Sequence, residues 1–405
     1  MKKTVCLALA FLLLMPFFPA SADAGADIAT ECYSADLFDP LPAEAATVAP
    51  IGGNLEIKAR SCLLMEPETR TVLYESNSSE RLAPASITKI MPLLLIMEAI
   101  DSGKIALDTV ITASEYACSM GGSQIWLEPG EQMTLDDMLK AIVIASANDA
   151  TVAVGETLAG SEENFVRMMN DRATELGMTG TTFVNCTGLD AEGHLTTAYD
   201  VAVMSCELLK HDLITKYSTV WMDTLRGDKS QLVNTNKLVR FYEGCIGLKT
   251  GTTSQAGCCL SAAARRDGMT LVAVVMGGEN SNARFDGARK MLNFGFANYS
   301  VTPIDGGDEA AFSLPVKGGD VRSVECSVKD SVSALTLKGT PEIVRRLELP
   351  DSLSAPVQKG QTVGKMHIFV DGEELGTLDI TADTEAKKRT FWMMLGWLMR
   401  GLIQI

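Results

Sequence analysis

IGLKTGTTSQAGCCLSAAARRDGMTLVAVVM, residues 246–276, decides the fold. Ile246-Gly247-Leu248-Lys249-Thr250 reads as a short strand, Ala256 to Arg265 as a second and Met269 to Met276 as a third. Arg266-Asp267-Gly268 is a turn, and a link that short makes the last two strands antiparallel neighbours. Upstream, LEIKARSCLLMEPETRTVLYESN (residues 55–77) holds two further strand-like runs joined at Glu66-Pro67-Glu68-Thr69, a second hairpin. The chain between these hairpins has helical periodicity. Pro84-Ala85-Ser86 opens IMPLLLIMEAI, with Pro92 tolerated in the first turns or kinking them. Thr134 to Ala159 reads as two helical pieces separated at Ser146-Ala147-Asn148, with Thr134 as a cap and Asp137 supplying first-turn charge. Further helices are expected over about 161–176, from Thr197 to Leu209 and from Ala283 to Phe296. Strands at both ends of a helical block predict an α/β (α+β) domain over 52–300, helices around an antiparallel sheet, in which the first hairpin returns to the last strands.

Outside that block the composition changes. Residues 1–24 place two lysines before an apolar run and end in small residues, which is a secretory signal peptide; residues 25–51, rich in Ala and Pro, are a flexible lead-in. Residues 303–382 are rich in β-branched residues and hairpin signals such as Phe369-Val370-Asp371-Gly372, a small β-rich domain. The tail, 385–405, is an amphipathic helix with Trp392, Leu395, Leu398, Met399 and Leu402 on one face, behind Lys387, Lys388 and Arg389. It is too short in apolar run to span a bilayer, so it reads as an interfacial anchor on the membrane surface. The chain is then exported and held peripherally at the extracytoplasmic face of the cytoplasmic membrane.

The formal charge is -16, from 35 basic and 51 acidic residues, with no basic tract, so nucleic acid is not an expected partner. Nine cysteines follow the signal: Cys32, Cys62, Cys118, Cys186, Cys206, Cys245, Cys258, Cys259 and Cys326. Their number is odd and their spacing fits neither a disulfide scaffold nor a metal knuckle, so most are expected as small buried hydrophobes. No metal and no cofactor is implied.

Acyl transfer requires a nucleophile, a base against it and an oxyanion site. Histidine is scarce: His194, His211 and His367 are the full set, and neither His194 nor His211 lies near a G-x-S-x-G elbow. Lysine can serve as base if its environment leaves some amine neutral. Ser86 and Lys89, three apart at a helix start, share a face. By itself such a pair is more simply a helix cap and a solvated lysine. Ser146 and Asn148 interrupt an otherwise apolar stretch, and Lys249-Thr250-Gly251 puts a cation on a strand beside a glycine that admits close backbone approach. Read singly, these too are ordinary, a cap and a sheet-edge lysine.

Together, in the order S-x-x-K, S-x-N, K-T-G with spacings of 60 and 103 residues, they match the signature of penicillin-interacting serine enzymes. The chain resembles the low-molecular-mass penicillin-binding proteins that act as D-alanyl-D-alanine carboxypeptidases. The likeness runs through Pro84-Ala85-Ser86-Ile87-Thr88-Lys89, Ser146-Ala147-Asn148-Asp149-Ala150, Phe183-x-Asn185-x-x-Gly188-Leu189-Asp190 and Gly247-Leu248-Lys249-Thr250-Gly251. It departs at Pro92 and Thr252, where members often carry Thr and His.

The resemblance implies a β-lactamase/transpeptidase-like domain and a set of roles. Ser86 attacks the penultimate D-alanine of a peptidoglycan stem peptide ending in D-Ala-D-Ala, Lys89 takes its proton and Ser146 relays it to the leaving amine. Asn148 orients the substrate amide. Lys249, Thr250, Gly251 and Thr252 receive the terminal carboxylate, tuned by Arg284, and the N–H groups of Ser86 and Thr252 form the oxyanion hole. β-Lactams acylate Ser86 as substrate mimics. Two alternatives stay beside this reading. A class A-like β-lactamase needs a carboxylate in an E-x-x-L-N setting, which none of Glu162, Glu163, Glu175 and Glu192 has, and its middle motif reads Ser-Asp-Asn where this chain has Ser-Ala-Asn. A non-catalytic muropeptide-binding protein of the same fold would have no need to keep every polar element.

Overall fold

The computed structural model describes residues 55–307, 311–339 and 341–396. The expected signal peptide, the lead-in with Cys32, and Leu398, Met399 and Leu402 of the tail lie outside the described residues.

The stretch 246–276 forms three strands, Cys245–Thr253, Gly257–Arg266 and Met269–Gly278, longer than the sequence pattern suggests. The upstream hairpin, Ser61–Glu66 and Thr71–Ser76, pairs with Met269–Gly278 through its first strand, Leu63 opposite Val274. The result is a five-stranded antiparallel sheet with Cys245–Thr253 at one edge. Every residue of Ser61–Glu66 is buried, because both sheet faces are covered. Leu63 and Met65 pack into the helical block, whereas Cys62 and Leu64, one residue out of phase, pack toward the Ser281–Asn298 helix. The same double cover buries the adjacent Cys258 and Cys259 together.

The helical block is Ile90–Asp101, Leu135–Ile144, Asn148–Ala159, Glu162–Glu175 and Ala198–Leu208. Thr134 caps the second, its hydroxyl accepting the Asp137 N–H at 3.2 Å. Ser161, Thr197 and Asn280 cap later helices in the same way. Pro92 is the third residue of its helix, where the missing N–H would have had no partner in the helix, so it neither breaks nor needs to kink it. Ser86 differs from expectation. It is not at the start of that α-helix but inside a separate 3-10 turn, Ala85–Lys89, and the α-helix proper begins at Ile90.

Residues 299–382 form a second, β-rich region. A six-stranded sheet closes on the apolar side chains Val324, Cys326, Met366, Ile368 and Ile380. Its longest hairpin, Thr362–Val370 with Glu373–Ala382, turns through Asp371 and Gly372 at φ 50° and 88°, the paired positive dihedrals of a type I′ turn. Beyond it, residues 391–396 are helical, and Phe391 and Trp392 are 68% and 75% exposed. No helix among the described residues is long and apolar enough to cross a membrane. All eight described cysteines are free thiols. Burial pushes Cys62 and Cys259 up to about 11 and Cys206 and Cys245 up to about 12.

Candidate active site

The 3-10 turn brings Ser86 and Lys89 together. Side chains three apart eclipse in that geometry, and Lys89 Nζ lies 3.0 Å from Ser86 Oγ. Lys89 is fully buried, whereas Ser86 keeps part of its surface open. The ammonium also donates to Asn148 Oδ1 at 2.5 Å and to the Thr187 carbonyl at 2.7 Å, so all three of its N–H groups have acceptors. Nothing in the sequence advertised Thr187, since a backbone carbonyl has no side-chain signature. Its position is set by Asn185, whose Oδ1 accepts the N–H groups of Thr187 and Gly188. Gly188, at φ 89°, lies so close that a Cβ would stand 1.9 Å from the Ala85 carbonyl oxygen. That contact seats the Asn185–Gly188 turn directly on the Ser86 turn.

The break between the helices that end at Ile144 and start at Asn148 supplies the second element. Ser146 adopts φ 63° in this break, and its buried hydroxyl has no hydrogen-bond partner among the described residues. A buried hydroxyl without a partner carries an uncompensated desolvation cost, which marks a site built for a ligand or a moving proton. Asn148 is shared between neighbours. Its Nδ2 donates to the Gly121 carbonyl at 2.6 Å and its N–H to the Ser123 carbonyl at 2.7 Å, so the loop from Gly121 is fastened to it.

The edge strand Cys245–Thr253 supplies the third. Lys249 is no solvated edge lysine; it is 1% exposed, with Nζ 3.2 Å from the Thr250 carbonyl. Gly251 approaches the Ser86 turn so closely that a Cβ would stand 2.6 Å from Ser86 N. Thr250 donates its hydroxyl to Thr235 at 2.6 Å, and Thr235 N–H reaches the Ile144 carbonyl, tying strand to helix end. Arg284 is buried, at 8% exposure. It donates to the Gly251 carbonyl at 3.1 Å and to Thr252 Oγ1 at 2.8 Å.

Lys89 thus touches both Ser86 and Asn148, Gly251 abuts Ser86, and Arg284 reaches across to Gly251 and Thr252 of the strand. His194 is elsewhere in role. Its Nδ1 accepts the Val184 N–H at 2.9 Å, which leaves the proton on Nε2 for Thr88 Oγ1, also at 2.9 Å. Burial lowers its pKa to about 4, so it is a neutral brace. Glu162 accepts from Tyr116 and from the Cys186 N–H. Asp190, in the turn-rich stretch, holds the end of the edge strand by accepting the Thr253 hydroxyl at 2.6 Å.

A family model described as D-alanyl-D-alanine carboxypeptidase matches residues 44–280, and one described as penicillin-binding protein 5, C-terminal domain, matches residues 300–388. The chain is 46% identical over 339 residues to D-alanyl-D-alanine carboxypeptidase DacF of Bacillus subtilis, covering 82% of this chain and 87% of that protein. Penicillin binding protein 5 from Haemophilus influenzae superposes with a TM-score of 0.68 at 30% identity, over 82% of this chain and 98% of its own. Penicillin-binding protein D2 from Listeria monocytogenes, in an ampicillin-bound form, does so at 0.53 and 29% identity, over 60% of this chain and 99% of its own. By sequence along most of its length, and by a fold that brings Ser86, Lys89 and Asn148 into one cluster, the chain belongs to the D-alanyl-D-alanine carboxypeptidase family.

Proposed function

We propose that Ser86 is the nucleophile with which this serine D-Ala-D-Ala carboxypeptidase removes the terminal D-alanine of peptidoglycan stem peptides. The observation that carries the assignment is the 3.0 Å contact between Ser86 Oγ and a fully buried lysine amine. A neutral amine has two N–H groups and one lone pair. The Asn148 and Thr187 carbonyl oxygens accept the two N–H groups, and the lone pair then faces Ser86. Ser86 Oγ attacks the carbonyl carbon of the penultimate D-alanine as its proton passes to Lys89. The C–N bond breaks, the departing amine takes a proton relayed through Ser146, and water hydrolyses the Ser86 ester. The Ser86 and Thr252 N–H groups face the developing oxyanion, a reading supported by the close approach of Gly251 to Ser86 N.

The terminal carboxylate meets the hydroxyls of Thr250 and Thr252 and the Lys249 ammonium, which shares a strand face with Gly251, while Arg284 adds a positive field through its contacts with the Gly251 carbonyl and Thr252 Oγ1. Asn148 positions Lys89 and the Gly121 loop as well as the substrate amide. β-Lactams, as mimics of the same peptide, acylate Ser86. The substrate is peptidoglycan and the enzyme acts outside the cytoplasm. Export by residues 1–24, a lead-in over 25–51, a peptidase unit over 52–300, a β-rich unit over 303–382 and membrane attachment through 385–405 complete the proposal.

Two experiments test it. Intact mass of the full-length protein with penicillin over time should show a long-lived adduct, and S86A should show none while releasing no D-alanine from diacetyl-Lys-D-Ala-D-Ala. An adduct that persists in S86A rejects the assignment. Truncation after Ala382 should move the protein from the membrane pellet to the soluble fraction; continued pelleting rejects the anchor.

A further inference from the structure

The loop fastened to Asn148 carries a feature that the hydrolysis does not use. Trp126 is 71% exposed and sits at φ 59°, a conformation that a bulky L-residue rarely adopts. The strain is held from two sides. Asp149, fully buried and next in sequence to Asn148, accepts the N–H groups of Ile125 at 3.2 Å and Leu127 at 3.1 Å. Arg226 donates to the carbonyls of Ile125 at 2.9 Å and Trp126 at 3.3 Å, and is itself fixed on Glu131 at 2.7 Å. Ile125 and Leu127 are anchored in the core at 5% exposure each, while the indole between them is displayed to solvent. Strain maintained by a buried carboxylate and a paired arginine, around an apolar ring left outside, is the construction of a contact surface rather than of a core.

We infer that Trp126 is a specificity-determining residue that stacks on a pyranose ring of the glycan to which the stem peptide is attached. An indole face takes the C–H face of a sugar, and its N–H serves as a donor. The exposed Glu128 nearby offers an acceptor for sugar hydroxyls. Reach is adequate. Ser123 touches Asn148, and three residues of chain carry the backbone at most about 11 Å further. A sugar attached four stem residues from the cleaved bond lies up to about 14 Å from it.

This inference rests on the carboxypeptidase reading, and the experiment separates the two. kcat/KM for D-alanine release by the full-length protein is measured on a disaccharide-linked pentapeptide and on the same pentapeptide without glycan. The wild type should prefer the glycan-linked substrate. In W126A that preference should fall about fivefold, the worth of one aromatic contact. W126F should restore most of it, and Y199A, an exposed aromatic elsewhere, should leave the preference unaltered. An unaltered preference in W126A, or an equal loss on both substrates, overturns the inference. Failure of the wild type to cleave either one overturns the carboxypeptidase reading and this inference with it. A second readout needs no turnover: in S86A, disaccharide-pentapeptide should change tryptophan emission, and in S86A/W126F it should not. The same change in both proteins sinks the proposal.

Discussion

The interiors of the two regions are built from different material. Among the described residues up to Asn298, the buried set includes Lys89, Lys249, Arg284, Asp149, Asp200 and His194 beside many hydroxyls and amides; from Tyr299 onward Thr336 is the buried polar residue. A buried polar group costs stability unless it is fully paired, so a chain keeps many of them where they position chemistry. The β-rich region has an apolar core and alternating strands, such as Ser323–Val328 with buried Val324, Cys326 and Val328. The first interior is arranged for reaction, the second for shape.

The largest expected effect breaks that contrast at Lys89. K89M keeps the volume and removes the proposed base; D-alanine release should fall by about a thousandfold. The melting temperature should change by only a few degrees, because relief of the buried cation's desolvation offsets the cost of leaving the Asn148 and Thr187 oxygens unpaired. A parallel loss of activity and stability would mean that Lys89 is structural. The converse substitution is M366A in the second core, which should cost about 2–5 kcal/mol in the calorimetric unfolding of that region. Penicillin acylation by the folded protein should be unchanged. If acylation slows with it, the two regions are coupled and the contrast fails.

Protonation sharpens the comparison. His194 has its folded pKa lowered by burial to about 4 against an ordinary 6.5. Between these values the unfolded chain binds the additional proton, so stability is present above pH 6.5 and is lost as pH falls toward 4. The loss reaches about 3 kcal/mol. H194Q should flatten that slope in denaturant titrations. His367 works in the opposite sense: its hydrogen bond to Glu374, then that to Glu348, raises its pKa. Its contribution is present below pH 6.5 and fades as pH rises through the raised value. Being on the surface, it should be the smallest effect here and should vanish in high salt.

Most of the fold was legible because each signal was local. The Arg266-Asp267-Gly268 turn, the Thr134 cap and the break at Ser146 declare themselves in a few adjacent residues. The site was legible as three motifs but not as a connected object. That Lys89 is held by Thr187, or Thr250 by Thr235, depends on contacts 98 and 15 residues apart in sequence. The first of these runs through a backbone oxygen, to which side-chain identity is blind. Lys249, read singly, is a sheet-edge cation because a charge read without its neighbours defaults to solvent. Ser86 was placed on the wrong kind of helix because a 3-10 turn running into an α-helix shares its apolar pattern.

The buried thiols have a consequence outside catalysis. With pKa values pushed to about 11 and 12, Cys62, Cys206, Cys245 and Cys259 hold about one thiolate in ten thousand or fewer at neutral pH. For a protein that acts outside the cytoplasm, the buried thiols therefore resist oxidation only while the fold is closed, and their lifetime in air is set by how often it opens. Dye uptake read at Cys62, Cys206 and Cys259, apart from the half-buried Cys118 and Cys245, would count those openings, giving the enzyme a built-in clock of its own breathing.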